Sequence, residues 1–226
     1  MNKRNTIGVA LSLCLAATAS LAQMPPAKYP IKAYDGDTIA NFDLAPPLTA
    51  RLDKLAGKIP VGNLQGDVTL FQFYDLNCPY CREAAADIDD LVRADKKLKL
   101  VFVPYAVLSI ASVRGAMIEI AAARQLSPEQ YLEFHRRIYA NRGTIDAPKV
   151  LAAANDMGLD QQKLAAAANT EETLDILRKT ATFGGEAGLA VTPAYVIDGV
   201  AIIGHPGLKP LQTVINAVRT CGKVVC

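Results

Sequence analysis

Cys78 and Cys81 stand three residues apart, separated by Pro79–Tyr80, directly after the apolar run Val68-Thr-Leu-Phe-Gln-Phe-Tyr74. Cysteines at this spacing in the first turn of a helix are close enough to form a disulfide without moving the backbone. Pro79 suits the first helical position, where a missing N–H costs nothing. A helix start would aim unpaired N–H groups and the positive end of the dipole at the Cys78 sulfur. Those terms favour thiolate over thiol, and the thiolate is the nucleophile. Position then assigns the roles. Cys78 attacks or is attacked to give a mixed disulfide, and Cys81, one turn further in, resolves it.

Two blander readings compete. A static bridge has little need of a strand-to-helix junction, yet the pair sits on one. A zinc site needs two more ligands. The next cysteines lie 140 residues further on at Cys221 and Cys226, and His135 and His205 would contribute only through the fold.

The elements that must position the pair follow from pattern. Gly66–Asp67 opens a strand over Val68–Tyr74, and Leu98-Lys-Leu-Val-Phe-Val-Pro104 reads as a second. The helix begun by the cysteines continues through Ile88, Leu91 and Val92. From about 112 to 188 no strand pattern occurs. Helical runs are expected at 112–125, 128–141, 147–157 and 171–187, with starts at Ser127–Pro128, Asp146 and Thr170. Ala194–Ile197 and Val200–Ile203 form a hairpin about Asp198–Gly199. A last helix covers about Leu208 to Thr220. Ahead of all this, residues 23–47 are proline-rich and read as an extended arm. Leu48, Leu52, Leu55 and Ile59 recur at helical spacing. That short helix covers an edge of the core or pairs copies of the chain.

The chain of 226 residues is 51% apolar with a formal charge of +2. Lys3 and Arg4 precede a charge-free stretch from Asn5 to Gln23 that closes on Ser20–Leu21–Ala22, the pattern of a secretory signal peptide over residues 1–22. A membrane span is the rival, but the apolar stretch is short. Removing residues 1–22 takes two positive charges and leaves a net charge of zero, so nucleic acid is not an expected partner. Cys14 leaves with the signal; Leu13 before it does not suit a lipid-attachment site. Export places Cys78, Cys81, Cys221 and Cys226 in an oxidising compartment. Cys221 and Cys226 flank Gly222 at the end of the last helix and are expected to form a structural disulfide; a shuttle pair serving Cys78–Cys81 is the alternative.

The stretch Phe71-Gln-Phe-Tyr-Asp-Leu-Asn-Cys-Pro-Tyr-Cys-Arg-Glu83 resembles the active-site strand and helix of DsbA-like thiol–disulfide oxidoreductases of the thioredoxin superfamily. Val191-Thr-Pro-Ala-Tyr-Val-Ile-Asp-Gly199 is similar to a second motif of that family. The resemblance runs from about Gly66 to Arg219. It implies an α/β, thioredoxin-like fold with an inserted all-helical subdomain at about 112–188, in a domain spanning 66–226 behind the 23–65 arm and short helix. It makes Cys78 the nucleophile, Cys81 the resolving thiol, and Thr192–Pro193 a loop with a cis peptide facing them. Such a loop would present the Thr192 backbone to an extended substrate. No cofactor or metal is implied beyond the redox-active Cys78–Cys81 disulfide. The partners would be unfolded or partly folded exported proteins and a membrane redox partner, in the periplasm.

Two departures from the family pattern stand out. Gln72 occupies a position that is often acidic, and an amide cannot carry protons for the resolving thiol. Pro79–Tyr80 replaces the Pro–His of strongly oxidising members, removing a potential cation beside the thiolate. Asp75, Arg82 and Glu83 read as a solvated rim, and His205, in Gly204-His-Pro-Gly207, as a turn residue in solvent. The expected function is an oxidase introducing disulfides. An isomerase or reductase, and a chaperone-like binding module with a structural disulfide, are the alternatives.

Overall fold

A computed structural model describes residues 26–226; the signal-peptide reading and Cys14 fall outside that range. In chain order the described residues form β1 (Asn41–Asp43), α1 (Pro46–Leu52), β2 (Ile59–Gly62) and β3 (Val68–Tyr74). Next come α2 (Pro79–Ala94), β4 (Leu98–Pro104) and a helical block, α3 (Ile110–Ala123), α4 (Pro128–Ala140), α5 (Ala147–Asn155), α6 (Gln161–Ala168) and α7 (Glu171–Glu186). The chain closes with β5 (Ala194–Ile197), β6 (Val200–Ile203) and α8 (Leu208–Cys221). This is the thioredoxin-like α/β fold, with an all-helical insertion between β4 and β5.

The strands make one mixed sheet in the order β1-β6-β5-β3-β4-β2. β3 and β4 run parallel, joined by the α2 crossover, and β5 lies antiparallel on the other side of β3. Successive residues of a strand face opposite sides, and β3 uses both. Leu70, Gln72 and Tyr74 face α2, α8 and the helical block, with Ile88, Leu91, Leu211, Phe134 and Ile138 in the same core. Phe73 faces the other side, stacked on Phe183 with ring centroids 5.7 Å apart and meeting Tyr105 edge-on. The β5–β6 turn has Asp198 at φ 49° and Gly199 at φ 73°, the left-handed pair that matches the twist of a two-residue hairpin.

Three departures from expectation concern the segments flanking this frame. The helix expected from Leu48 to Ile59 stops at Leu52, and Ile59 instead opens β2, antiparallel to β4. Ile59 and Val61 are buried and Pro60 is exposed, a strand alternation hidden within helix-like spacing. The proline is tolerated because β2 is an outer strand. The arm is not merely extended, since Asn41–Asp43 pair with β6 at the opposite edge. Finally, α6 occupies a stretch expected to lie between helices. It is capped by the Asp160 carboxylate, which accepts from the N–H groups of Gln162 and Lys163. Its sequence, Gln-Gln-Lys-Leu-Ala-Ala-Ala-Ala, buries only Leu164 and Ala168 and so carries little apolar periodicity.

Candidate active site

The loop between β3 and α2 is held from three sides before it reaches the cysteines. The Asp75 carboxylate accepts from the N–H of Asn77 at 2.8 Å and from those of Val107 and Leu108 at 2.9 Å each. The Asn77 amide donates to Ser112 Oγ and the Ile145 carbonyl and accepts from the Ile145 N–H at 2.7 Å, tying the loop to the helical block. Cys78 then caps α2. Its N–H donates to the Asp75 carbonyl at 3.1 Å, its own carbonyl accepts from Arg82, and Pro79 takes the first helical position.

Both cysteines of the pair are thiols and both are nearly covered, Cys78 at 4% exposure and Cys81 at 1%. The peptide bond between Thr192 and Pro193 is cis, and the Cys78 Sγ lies 3.0 Å from the Thr192 carbonyl oxygen. The two motifs, 114 residues apart, therefore meet at one sulfur. Cys78 is held down at a pKa of about 6. A hydrogen bond from the Cys81 thiol is the largest cause; Thr192 and the N–H groups of Cys81 and Tyr80 add to it, and burial opposes them. Cys81 moves the other way. Burial pushes its thiol far up, and the hydrogen bond and charge of Cys78 add to that. One sulfur is ionised near neutral pH and its neighbour keeps its proton.

Beside Cys78 lies a groove of 490 Å³ lined by Tyr34, Tyr80, Val191, Thr192, Ile203 and His205. Tyr34 and Tyr80 are exposed at 81% and 64%. Val107 and Leu108, on the loop pinned by Asp75, are also exposed, as is Ile110 at the start of α3. Exposed apolar side chains thus occur both along the groove and on the segment bonded to Asp75.

Several flanking residues are placed otherwise than the sequence suggests. Asp75 is buried at 1% exposure rather than lying on a solvated rim, because its carboxylate answers three otherwise orphaned N–H groups. Arg82 is half-buried and donates to the carbonyls of Tyr139, Asn141 and Gly143, fastening α2 to the end of α4. Glu83 is exposed, as a rim residue should be. His205 is not a turn residue in solvent. Tyr195 bonds its Nδ1 at 2.8 Å and Asp87 its Nε2 at 3.0 Å. Gln72 points inward as its strand parity requires, and its side-chain oxygen has no hydrogen-bond partner among the described residues.

A buried polar cluster near the site was not legible in the sequence. Glu119, fully buried on α3, bonds the hydroxyls of Tyr74 and Tyr131 at 3.1 Å and faces His135 Nδ1 at 3.4 Å. Tyr139 packs edge-on against His135, and its hydroxyl donates to the Asp75 carbonyl at 3.3 Å. Tyr131, His135 and Tyr139 recur every four residues on α4, which marks a face but not its carboxylate partner.

A family model described as thioredoxin matches residues 54–217, most of the chain. The chain belongs to the thioredoxin family. Among solved structures, a thioredoxin-like oxidoreductase from Silicibacter pomeroyi DSS-3 is 29% identical, with a TM-score of 0.68 over 75% of this chain and 98% of that one. The thiol-disulfide exchange protein alpha-DsbA2 from Wolbachia pipientis is 20% identical, with a TM-score of 0.68 over 76% and 93%. BdbD from Bacillus subtilis is 15% identical, with a TM-score of 0.63 over 79% and 96%. The family and the fold are thus those of thioredoxin-like proteins, with the cysteine pair of this chain at the strand-to-helix junction. A curated relative, the Na(+)/H(+) antiporter NhaA of Herminiimonas arsenicoxydans, is 22% identical over 180 residues, covering 78% of this chain. This chain spans about a quarter of that protein's length (27%), and no helix among the described residues is long and apolar enough to cross a membrane.

Proposed function

We propose that the protein introduces disulfides into exported polypeptides by giving up its own Cys78–Cys81 bridge. The observation that carries this reading is the split between the two sulfurs, with Cys78 ionised above a pKa of about 6 and Cys81 held as a thiol. A stabilised thiolate lowers the free energy of the reduced protein, so the bridge is a better oxidant than an ordinary one. A substrate thiolate attacks the Cys78 sulfur, the Cys78–Cys81 bond breaks, and Cys81 leaves with the electron pair and takes up a proton. A second substrate thiolate then attacks the substrate sulfur of the mixed disulfide. The substrate disulfide forms and the Cys78 thiolate departs.

Recognition needs little sequence information. The Thr192 backbone would pair with an extended segment beside Cys78. The exposed apolar side chains of Tyr34, Tyr80 and Val191 and those of Val107, Leu108 and Ile110 suit chains whose cores are still open. The substrates are accordingly unfolded or partly folded proteins in the periplasm, reached by way of the 1–22 signal peptide. A membrane redox partner would restore the bridge, and no cofactor beyond the Cys78–Cys81 pair is required. Cys221–Cys226 serves structure only.

The reduction potential tests the direction. A value nearer about −120 mV than about −200 mV is expected of an oxidase. A value at or below about −200 mV would make the protein an isomerase or reductase, a reading favoured by the absence of an imidazole between the cysteines. Trapping free thiols with acid in the intact compartment gives a second reading: mostly oxidised Cys78–Cys81 is expected.

A further inference from the structure

One wall of the groove beside Cys78 is built by the arm. Residues 31–39 turn back on themselves, with the Ile39 N–H donating to the Ile31 carbonyl at 3.0 Å and the Ala33 N–H to the Asp37 carbonyl at 2.8 Å. Gly36 sits in the turn at φ 89°. Ile31 is buried in the core on the cysteine side of the sheet. The turn is latched to the loop after β6, where the Tyr34 N–H donates to the Pro206 carbonyl at 2.8 Å. Gly207, at φ 101°, lets the two segments approach, since a Cβ there would stand 3.2 Å from the Tyr34 Cβ. The wall is fixed at both ends.

Three carboxylates line the groove, Asp35 and Asp37 from that wall and Glu83 from α2. All three are exposed, and no Lys or Arg lines the groove among the described residues. None of the three joins an ion pair among the described residues. Neighbouring basic groups are engaged elsewhere: Lys32 donates to Thr38 Oγ1 at 2.9 Å, and Arg82 to the carbonyls beyond α4. His205 is held between Tyr195 and Asp87. The surplus of negative charge is local, because residues 26–226 carry equal numbers of basic and acidic side chains. Tyr34 and Tyr80, both largely exposed, line the same groove, and aromatic faces attract cations. Carboxylates and rings select the same sign of charge.

We propose that the groove selects, among unfolded chains, segments that carry Lys or Arg beside the reacting cysteine. The inference rests on exchange at Cys78 and adds the charge of the substrate to that reading. Thr192 lines the groove, and its carbonyl oxygen lies 3.0 Å from the Cys78 Sγ. A chain paired at Thr192 therefore carries the residues flanking its cysteine past the three carboxylates. A cleft lined by one sign of charge concentrates the opposite sign and speeds encounter. A cation next to the substrate cysteine also keeps more of it as the attacking thiolate. Two of the three carboxylates belong to the folded-back arm, so the preference lies there rather than in the cysteine motif.

The test uses short dithiol peptides, alike except for Lys, Gln or Glu on either side of each cysteine, and the protein with its Cys78–Cys81 bridge closed. Each oxidation rate is divided by that of the same peptide with hydroxyethyl disulfide, an uncharged reagent, which removes the effect of the flanking charge on the peptide thiol itself. At about 0.02 M salt the Lys peptide is expected to react about tenfold faster than the Glu peptide, with Gln between, and at about 0.5 M salt within about twofold. Asp35→Asn with Asp37→Asn should cut the low-salt ratio to about threefold, and adding Glu83→Gln should bring it to about one. Asp35→Asn keeps the side-chain oxygen that accepts from the Asp37 N–H at 3.0 Å, so the turn is retained. Asp37→Lys with Glu83→Lys should reverse the order of the peptides. Equal normalised rates for the three peptides, a ratio that salt leaves unchanged, or one that survives in the triple variant overturns the inference. Failure to oxidise any of the peptides, while dithiothreitol still opens the bridge, overturns instead the exchange with polypeptides on which it rests.

Discussion

The sulfur of Cys78 rests 3.0 Å from the carbonyl oxygen of Thr192. In the proposed exchange, the atom under attack and the backbone that would hold the attacking chain are thus neighbours. A substrate cysteine paired beside Thr192 in the proposed exchange would arrive within reach of its target.

Alkylation against pH should separate the two cysteines. With Cys78 at a pKa of about 6, its rate is expected to climb through that pH rather than near the ordinary thiol value of about 8.5. Cys81 should stay unmodified throughout. Peptide mapping by mass after short exposures measures both, and a midpoint near about 8.5 for Cys78 would contradict the geometry described.

Stability of the reduced protein should depend on pH in the same window. The folded pKa of Cys78 lies below its unfolded value, so between about pH 6 and about 8.5 the unfolded chain holds a proton that the native chain has released. Stability contributed by Cys78 is full above the unfolded pKa and is lost as pH falls through about 6. Cys81 is shifted upward, so it works against the reduced fold only above about 8.5, where its unfolded counterpart ionises. The oxidised protein lacks both terms. Its melting temperature relative to the reduced form should therefore decline from about pH 6 to pH 8; a gap that widens in favour of the oxidised form would count against the assignment.

The unpartnered oxygen of Gln72 is a liability to the fold. Gln72→Met keeps the volume and removes a buried polar atom that finds no donor. A gain of about 1 kcal/mol in denaturant unfolding is expected. A loss of that size would mean that the amide has a role in packing or in bound water.

Glu119 carries the opposite expectation. Its carboxylate holds Tyr74 and Tyr131 together beneath the site. Glu119→Ala strips the carboxylate from both hydroxyls, leaving only their bond to each other at 3.2 Å, and opens a cavity, costing about 3–5 kcal/mol. Glu119→Gln retains an acceptor and should cost less. Equal losses in the two variants would show that packing volume, not hydrogen bonding, decides the matter.

The described structure joins Cys221 to Cys226, with Gly222 at φ 68° ending α8 and Val224 tucked into the core. A loop this short limits the stabilisation to less than about 3 kcal/mol. Replacing both cysteines with Ser should lower the melting point modestly and leave exchange rates within about twofold, since the sites are separate. A large loss of turnover in the folded variant would establish a shuttle pair instead.

What could be read in advance was whatever a short window encodes. Val68–Tyr74, Leu98–Pro104 and the hairpin about Asp198–Gly199 are dense in strand formers between turn residues, and each strand lies where that pattern puts it. Ile59-Pro-Val61 misled because three residues of alternation cannot outvote a helical spacing that runs through Leu48, Leu52 and Leu55. α6 escaped because an alanine run has no face. The polar machinery was hidden for another reason. His205 meets Asp87 across 118 residues, and Glu119 meets Tyr74 across 45. No local pattern records such meetings, so Asp87, Tyr195 and Glu119 became visible only once the sheet and the helical block had brought them together.

Both outermost strands, β1 and β2, come from residues 41–62, ahead of every strand they border. A chain that emerges N-terminus first has these two guards in hand before β4 or β6 exists. The inner strands then pair against a waiting neighbour rather than presenting bare N–H and C=O rows to other chains. With unfolded chains as the proposed substrates, that order of appearance would limit adhesion to them during assembly.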